Sequence, residues 1–301
     1  MNLPKLTGSS QPVAYQVDSR LGIITLQDGT GTNRLDREML EHMYAAVSAA
    51  MEDPEVKVIL MRSGEGAFCL GMNLEVLQES LENQGSELGD SGETKSRETA
   101  VSQYALLLEA IAFGPKPVIG LVEGPVKAGG VGITAACDIV VAQDGAASFE
   151  LSEVLFGLIP ANVLPFLLNQ RITPQRARYL VLTAQCLSAQ EAENFGLVDQ
   201  ALSRENLEKG LKTLLKTMMR AEPHALARAK FFIGEHVKGN FSTFQHFQNA
   251  AQRELLELMN NPQVKQGLDA FSDGQTPDWF HRFKPTVQLS GCSELRKETI
   301  V

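Results

Sequence analysis

The fold of this chain is decided by a glycine-rich turn, Lys127-Ala128-Gly129-Gly130-Val131-Gly132, and by a carboxylate further along, in Phe149-Glu150-Leu151-Ser152-Glu153. An apolar run, 117–122, precedes the turn, and small residues, 133–137, follow it. This order predicts a strand, a tight turn and the start of a helix. Because the first N–H groups of a helix lack intrahelical partners, the turn would present free N–H groups to negative charge in a pocket.

A second glycine turn lies upstream, in Ala67-Phe68-Cys69-Leu70-Gly71-Met72-Asn73-Leu74. Glycine at 71 lets the backbone turn so that the Met72 N–H can face a pocket. If this N–H and that of Gly129 converge on one oxygen, they form an oxyanion hole, which stabilises an enolate or a tetrahedral anion. Taken alone, each turn is explained by ordinary packing, since short glycine turns are common: a strand-to-helix connection at Met72 and close helix packing at Gly129.

Glu153 begins an unusually apolar stretch that continues to Pro160. A carboxyl group in such surroundings has a raised pKa and can act as a general acid or base near neutral pH. The alternatives are that Glu153 is a helix N-terminal residue in contact with the helix dipole, and that Glu150 is solvated. The sequence lacks an early strand-linked GxGxxG motif, which disfavours a Rossmann nicotinamide site.

Strand and helix patterns alternate over the first two thirds of the chain. Residues 13–27 predict two short strands in a hairpin, with a turn signal at Asp28-Gly29. Helical spacing follows from Asp36 to Glu52, with Asp36 as N-cap, and residues 58–61 form a buried strand. This alternation favours an α/β domain with parallel pairing. Further strands are predicted at 139–142 and 147–149, and helices at 104–113, 207–219, 223–237 and 242–260.

Composition excludes several classes of protein. The chain has 301 residues, 44% of them hydrophobic, and a net charge of -9, which argues against nucleic acid or an anionic membrane as the main partner. Its four cysteines are widely spaced and are expected to be reduced thiols, and its five histidines lack the spacing of a zinc site, so no metal is indicated. Without a signal peptide or a long apolar segment, we expect a soluble cytoplasmic protein.

The patterns divide the chain into four parts. We expect an N-terminal extension at 1–12, an α/β core at 13–199, a helical region at 200–285 and a disordered tail at 286–301. The acidic, glycine- and serine-containing segment 79–98 buries little and is predicted to be a mobile loop, with a lid over the site as a hypothesis.

Four segments together resemble the crotonase superfamily, the enoyl-CoA hydratases and isomerases. They are 67–74, 123–138, 149–160 and 188–199, and the similarity extends over roughly 13–285. The resemblance implies a spiral core of ββα turns and a helical C-terminal region that packs against other subunits, in trimers or in hexamers made of two trimers. It also implies that the thioester oxygen is held by two backbone N–H groups, and that no cofactor is needed beyond the CoA or acyl-carrier-protein phosphopantetheine that carries the acyl group. The two donors so implied are Met72 and Gly129.

One position departs from the family pattern. Typical hydratases of the superfamily have a first catalytic glutamate three residues after the oxyanion glycine, and here that position is Gly132. The second glutamate is retained as Glu153. The stretch 149–166 most resembles the dehydratases of polyketide β-branching cassettes, which convert 3-hydroxy-3-methylglutaryl-ACP to 3-methylglutaconyl-ACP. The resemblance therefore implies a hydro-lyase in which Glu153 moves the protons.

Two other functions remain open. One is an enoyl-CoA isomerase that uses Glu153 alone, and the other is a non-catalytic crotonase-fold scaffold subunit. A carrier-specific enzyme should show a local Lys/Arg cluster, since acyl carrier proteins are acidic. The residues near pocket-forming segments that could bind a distal carboxylate are Lys127, Arg171 and Arg178, and His224 and His246 are further candidates. Apolar residues in excess of what one helix needs suggest an interface: Phe241, Phe244, Phe247, Leu255, Leu256 and Met259.

Overall fold

A six-stranded sheet and a three-stranded sheet form the frame of the molecule, which we describe from a computed structural model. The structure describes residues 11–73, 100–239, 242–243, 246, 248–250, 252–253, 255 and 261–291. The strands are β1 (Val13–Asp18), β2 (Leu21–Leu26), β3 (Val58–Ser63), β4 (Val118–Val122), β5 (Pro125–Lys127), β6 (Ile139–Gln143), β7 (Ser148–Glu150), β8 (Leu187–Ser188) and β9 (Gln200–Leu202).

Helices connect these strands and then dominate the C-terminal part. They are α1 (Arg37–Glu52), α2 (Ala100–Phe113), α3 (Gly129–Ala136), α4 (Leu164–Phe166, continued by a π-helical turn at Leu167–Arg171), α5 (Pro174–Thr183), α6 (Ala189–Phe195), α7 (Arg204–Met218), α8 (Pro223–Val237) and α9 (Pro262–Ser272). A single 3₁₀ turn covers Glu153–Phe156. None of the described helices is long and apolar enough to cross a membrane.

The large sheet has the order β1-β2-β3-β4-β6-β9. β1 pairs antiparallel with β2, and all the other neighbouring strands of this sheet are parallel. The predicted hairpin and the predicted parallel pairing are therefore confirmed. The hairpin turns at Ser19-Arg20, both with positive φ, while Asp28 lies in the next loop and accepts N–H groups from Thr30 and Gly31.

Both faces of the large sheet are covered, as parallel sheets require. In β2 the side chains of Ile24 and Leu26 face a core that includes residues of α1, α2 and α3. The alternate residues Leu21 and Ile23 face a second core that includes α7. This explains why β2 is buried along its whole length and reads as a continuous apolar run.

Several predicted elements are confirmed in detail. The Asp36 carboxylate accepts the Met39 N–H and caps α1, as the sequence indicates. Helices at 104–113, 207–219 and 223–237 are present, although α2 and α7 begin a few residues earlier than predicted. About half of the predicted helix 242–260 lies outside the described residues; its described part is helical at 246, 248–250, 252–253 and 255. The predicted mobile loop, 79–98, lies entirely outside the described residues.

The small sheet was not separated from the large one by the sequence pattern. Its strand order is β5-β7-β8, and β5 stands between β4 and the glycine turn. The turn therefore follows β5 and not the apolar run 117–122, because the chain leaves the large sheet after β4. Pairing of β5 with β7 places Lys127 opposite Glu150 and brings the segment that leads to Glu153 alongside the glycine turn.

The predicted domain boundary near Asp199 stays a prediction. The large sheet continues beyond it, since β9 pairs with β6 in the register Val141↔Gln200. The helical part of the chain begins at Arg204, where α7 starts.

The prediction of a disordered tail from 286 is wrong for residues 286–291, because buried and charged groups hold this segment on the large sheet. Asp18 accepts the N–H groups of Thr286 and Val287, and the Arg62 guanidinium donates to the Gln288 and Leu289 carbonyls. Leu289 is completely buried in the second core. This packing is not predictable from the sequence, because the segment is short and its apolar residues follow neither a helical nor a strand period. Residues 292–301 lie outside the described part.

Because Leu289 fills the second core, Leu289→Ala should lower the free energy of unfolding by about 2–4 kcal/mol. Lys284→Ala is the matched control in the same segment, where the side chain is exposed and the change should be within about 0.5 kcal/mol. Chemical denaturation of the full chain measures both. Equal effects of the two substitutions would show that the segment does not contribute to the core.

Candidate active site

Met72 lies in an extended segment that runs beside Leu35. The Leu35 N–H donates to the Gly71 carbonyl at 2.9 Å, and the Asn73 N–H donates to the Leu35 carbonyl at 2.9 Å. Successive N–H groups of an extended chain point to opposite sides, so the Met72 N–H points away from Leu35. The Met72 N–H is therefore not used in the pairing with Leu35, as an oxyanion donor requires.

The glycine turn lies directly against this segment. A Cβ built on Gly71 would be 3.2 Å from the Gly129 nitrogen, and the φ of Gly71 is +80°. A Cβ on Gly130 would be 2.3 Å from the Cys69 carbonyl oxygen, so only glycine fits there without a shift of the backbone. The two segments that carry the predicted N–H donors are therefore in contact; the role of Met72 and Gly129 as oxyanion donors stays a prediction.

The residue before α3 has an unusual backbone. Ala128 has φ +48° and ψ -119°, a conformation that L-residues rarely adopt and that costs about 1–3 kcal/mol. Its N–H donates to the Glu150 carbonyl at 2.8 Å. This sharp turn makes Gly129 the first residue of α3, where an N–H has no intrahelical acceptor. Strain at this point is consistent with a turn held for the orientation of its N–H groups.

Glu153 is the first residue of the 3₁₀ turn that follows β7, and its side chain is half-buried. Its Oε2 atom is buried with no hydrogen-bond partner among the described residues. Burial raises the pKa of this carboxyl above its ordinary value, and the charge of Glu150 raises it further, against the lowering effect of the residue's own N–H. A carboxyl group in this state can take up and return a proton near neutral pH.

Glu150 differs from Glu153 in its surroundings. The Lys127 ammonium lies 2.8 Å from a Glu150 carboxylate oxygen across the β5–β7 pair. Glu150 is therefore an ion-paired residue, and the sequence-based alternative of a simply solvated carboxylate is not what the structure has. Because Lys127 is paired with Glu150, it is Glu153 that has no cationic partner within this segment.

Gly132 leaves room for a side chain that the sequence analysis missed. A Cβ at 132 would lie 2.0 Å from the Tyr104 hydroxyl oxygen and 3.0 Å from a Val163 methyl carbon. Tyr104, in α2, is buried, and its hydroxyl donates to the Gly129 carbonyl. Burial raises the Tyr104 pKa well above its ordinary value, and the Cys69 and Glu153 charges add to this effect, so the phenol stays neutral. In the sequence, Tyr104 was part of an apolar helical pattern and gave no separate signal.

The other predicted cations and histidines lie in different environments. The Arg171 side chain is almost fully buried, pairs with Asp199 at 2.7 Å and donates to the Cys137 carbonyl, so it supports the start of β6. Arg178 is exposed on α5, and His224 and His246 are exposed in the C-terminal part. The structure does not bring these four residues to the oxyanion segments.

The cysteines near the site are inert in their present surroundings. Cys69 and Cys137 are fully buried, and burial raises the pKa of each thiol to about 12. Since the thiolate is the nucleophile, neither residue is suited to attack an acyl group.

Because a Cβ at 132 meets the Tyr104 hydroxyl, Gly132→Ala should destabilise the protein by about 1–3 kcal/mol, although alanine is the better helix former. Gly64→Ala is a matched control, since a Cβ there makes only ordinary contacts from 3.6 Å outward. Thermal unfolding monitored by circular dichroism measures both. A Gly132→Ala variant as stable as the control would show that the hydroxyl has space to move.

Comparison with known proteins agrees with this architecture. The sequence model of the enoyl-CoA hydratase/isomerase family matches residues 16–282. The bacillaene synthase dehydratase PksH of Bacillus subtilis is 30% identical over 274 residues, which cover 89% of this chain and 96% of that protein. A trans-2-decenoyl-[acyl-carrier-protein] isomerase of Streptococcus mutans is 24% identical, with coverage of 88% and 96%.

Solved structures give the same fold. An enoyl-CoA hydratase from Shewanella pealeana superposes with a TM-score of 0.79 at 21% identity, over 90% of this chain and 97% of that one. At this identity the likeness concerns the fold alone. With the family match over most of its length, this mixed α/β chain belongs to the enoyl-CoA hydratase/isomerase family, within the crotonase superfamily.

Proposed function

We propose that this protein dehydrates 3-hydroxy-3-methylglutaryl-ACP to 3-methylglutaconyl-ACP, as a hydro-lyase of polyketide β-branching. The proposal rests on the residues at two positions. Residue 132, where the typical hydratases have their first glutamate, is a glycine, and residue 153 is a glutamate whose half-buried carboxyl has a raised pKa. The similarity to a bacillaene synthase dehydratase supports the same class of reaction.

The chemistry begins with polarisation of the thioester. The N–H groups of Met72 and Gly129 would donate to the thioester oxygen, and their attraction grows as that oxygen gains negative charge. This lowers the free energy of the enolate that forms when the C2–H bond breaks. In a buried site each of these hydrogen bonds is worth more than in water.

Glu153 would then carry one proton through both steps. Its carboxylate takes the C2 proton, and the electron pair of the broken C–H bond moves into the enolate. The enolate electrons form the C2=C3 bond as the C3–O bond breaks, and the carboxylic acid returns its proton to the departing hydroxyl as water. Glu153 ends as the carboxylate it was at the start, so one residue suffices and its raised pKa suits both roles.

The loss of the first glutamate leaves one carboxylate for all the proton transfers. In the typical hydratases that this sequence resembles, two carboxylates position one water molecule together. With Gly132 at the first position and Tyr104 occupying the adjacent space, a second carboxylate cannot share the water. Because a catalyst lowers the barrier equally in both directions, the preference for dehydration would come from the substrate supplied and from the stability of the conjugated product, and not from Gly132.

We also propose a homotrimer, or a hexamer of two trimers, as the working assembly. The apolar side chains that follow the catalytic carboxylate are largely exposed in the single chain, with Leu155 at 67%, Phe156 at 63% and Ile159 at 68%. Such an exposed apolar group next to the site is typical of a surface that another subunit covers. The acyl group would be delivered by an acyl carrier protein, and a CoA thioester is the alternative carrier.

An isomerase is the second candidate. The Streptococcus mutans relative is named as an isomerase that acts on an acyl-carrier-protein substrate. A single carboxylate such as Glu153 can take a proton from C2 and return it at C4, which moves a double bond without loss of water. Substrate choice, and not the proton shuttle, separates the two reactions.

Incubation with 3-hydroxy-3-methylglutaryl-ACP should reduce the mass of the carrier-bound acyl group by about 18 Da, and Glu153→Gln should lower the rate by about a hundredfold or more while the protein stays folded. Mass spectrometry of the carrier protein measures this, with a 3-enoyl-CoA thioester as a parallel substrate. Double-bond migration in the CoA substrate with no mass loss in the carrier would favour the isomerase. Inertness toward both would favour a non-catalytic scaffold.

The acid limb of the pH profile should report Glu153. Dehydration needs the carboxylate form, so kcat/KM should fall as pH drops through a pKa that lies above the usual glutamate range. Glu150→Gln removes a negative charge and frees the charge of Lys127, and both changes lower the Glu153 pKa. The acid limb should therefore move to lower pH. Glu109→Gln, at an exposed position of α2, is the control and should leave the profile in place.

A further inference from the structure

Tyr104 lies where α2 meets the start of α3. Its hydroxyl donates to the Gly129 carbonyl, and a Cβ on Gly129 would be 3.4 Å from the same oxygen. The ring is packed in the main core with Leu107 and Leu108 of the same helix. The hydroxyl is therefore fixed by a buried ring and directed at the residue that offers the second oxyanion N–H.

Gly132 makes this contact possible. The hydroxyl oxygen occupies the place, 2.0 Å away, where any side chain at 132 would begin. A glutamate at 132 and a tyrosine at 104 cannot both be present in this geometry. The Tyr104 hydroxyl can therefore take this position only because residue 132 carries no side chain.

The residue held in this way borders a strained turn. Ala128 keeps φ +48° only if the surrounding contacts fix the chain on both sides. On one side the Ala128 N–H is bound to the Glu150 carbonyl at 2.8 Å. On the other side the Tyr104 hydroxyl holds Gly129, so the peptide group between Ala128 and Gly129, which carries the oxyanion N–H, is fixed from both ends.

We propose that Tyr104 is a positioning residue that holds Gly129 and so aims its N–H at the thioester oxygen. The phenol does this without adding charge: a carboxylate at the same place would put a second negative group beside the developing enolate. The inference deepens the proposed function, on which it rests for the identity of the acyl thioester, but the donor geometry concerns any acyl thioester bound there.

The test uses a carbonyl probe in place of the natural acyl group. A cinnamoyl thioester on the carrier protein absorbs at longer wavelength when hydrogen bonds polarise its carbonyl, so its red shift on binding reports the oxyanion donors directly. Tyr104→Phe keeps the ring and removes the hydroxyl. We expect it to lose about half or more of the red shift and to lower kcat for dehydration by roughly tenfold, with KM changed less than about twofold.

Tyr15→Phe is the matched control. Tyr15 lies on β1, and its phenol also donates a hydrogen bond within the protein, to the Asp53 carboxylate at 3.4 Å. The control should keep the full red shift and kcat. If Tyr104→Phe loses stability but keeps the red shift and kcat, Tyr104 is only a core residue and the inference is overturned.

A second variant covers the case in which Tyr104→Phe does not fold. Fluorotyrosine at 104 keeps the shape and makes the hydroxyl a stronger donor, so the red shift should equal or exceed that of the natural protein. A smaller shift would overturn the inference. If the natural protein red-shifts the probe but does not dehydrate the hydroxyacyl substrate, the proposed reaction fails while Tyr104 keeps its role. If it does not shift the probe at all, the inference fails with the oxyanion hole.

Discussion

The contact between the glycine turn and the segment before Met72 is the constraint on which the site depends. The Lys127 N–H donates to the Cys69 carbonyl at 2.9 Å, and the same carbonyl leaves no room for a side chain at Gly130. Backbone groups from two distant parts of the chain are thereby held at a fixed separation. Since the proposed donors are backbone N–H groups, their geometry depends on chain packing and not on the choice of side chain. This explains why glycine, which permits such close approach, is concentrated here.

The small sheet adds the carboxylate to this arrangement. β7 pairs with β5, so the chain that leaves the glycine turn and the chain that leads to Glu153 run side by side. The ion pair between Lys127 and Glu150 lies on this ladder and binds the nearer acid. Glu153, three residues later, is left in apolar surroundings with a raised pKa. Two carboxylates close in sequence thus have different environments and suit different roles, one structural and one chemical.

Local patterns predicted the elements well, because each depends on neighbouring residues. Examples are the hairpin of β1 and β2, the Asp36 cap of α1 and the helix that begins at Gly129. The close approach of the Met72 and Gly129 segments was also expected, but through family resemblance and not from spacing. Features that depend on distant partners gave no local signal. The segment at Leu289 is held by the distant Arg62, and the Tyr104 hydroxyl has its place only because residue 132 has no side chain. Neither feature can be recognised from the neighbouring sequence alone.

With a glycine at 132 and a phenol beside it, the site has one negative group fewer than it would have with a glutamate at 132. Two carboxylates in one pocket repel each other and raise the cost of forming an enolate beside them. A neutral phenol occupies the space at 132 without that cost, and its raised pKa keeps it neutral. In the proposed reaction Glu153 would become neutral as the enolate forms, because it takes the C2 proton. Apart from the distal carboxylate of the proposed substrate, one negative charge would then pass from the Glu153 carboxylate to the thioester oxygen, and no second carboxylate at 132 would oppose the enolate.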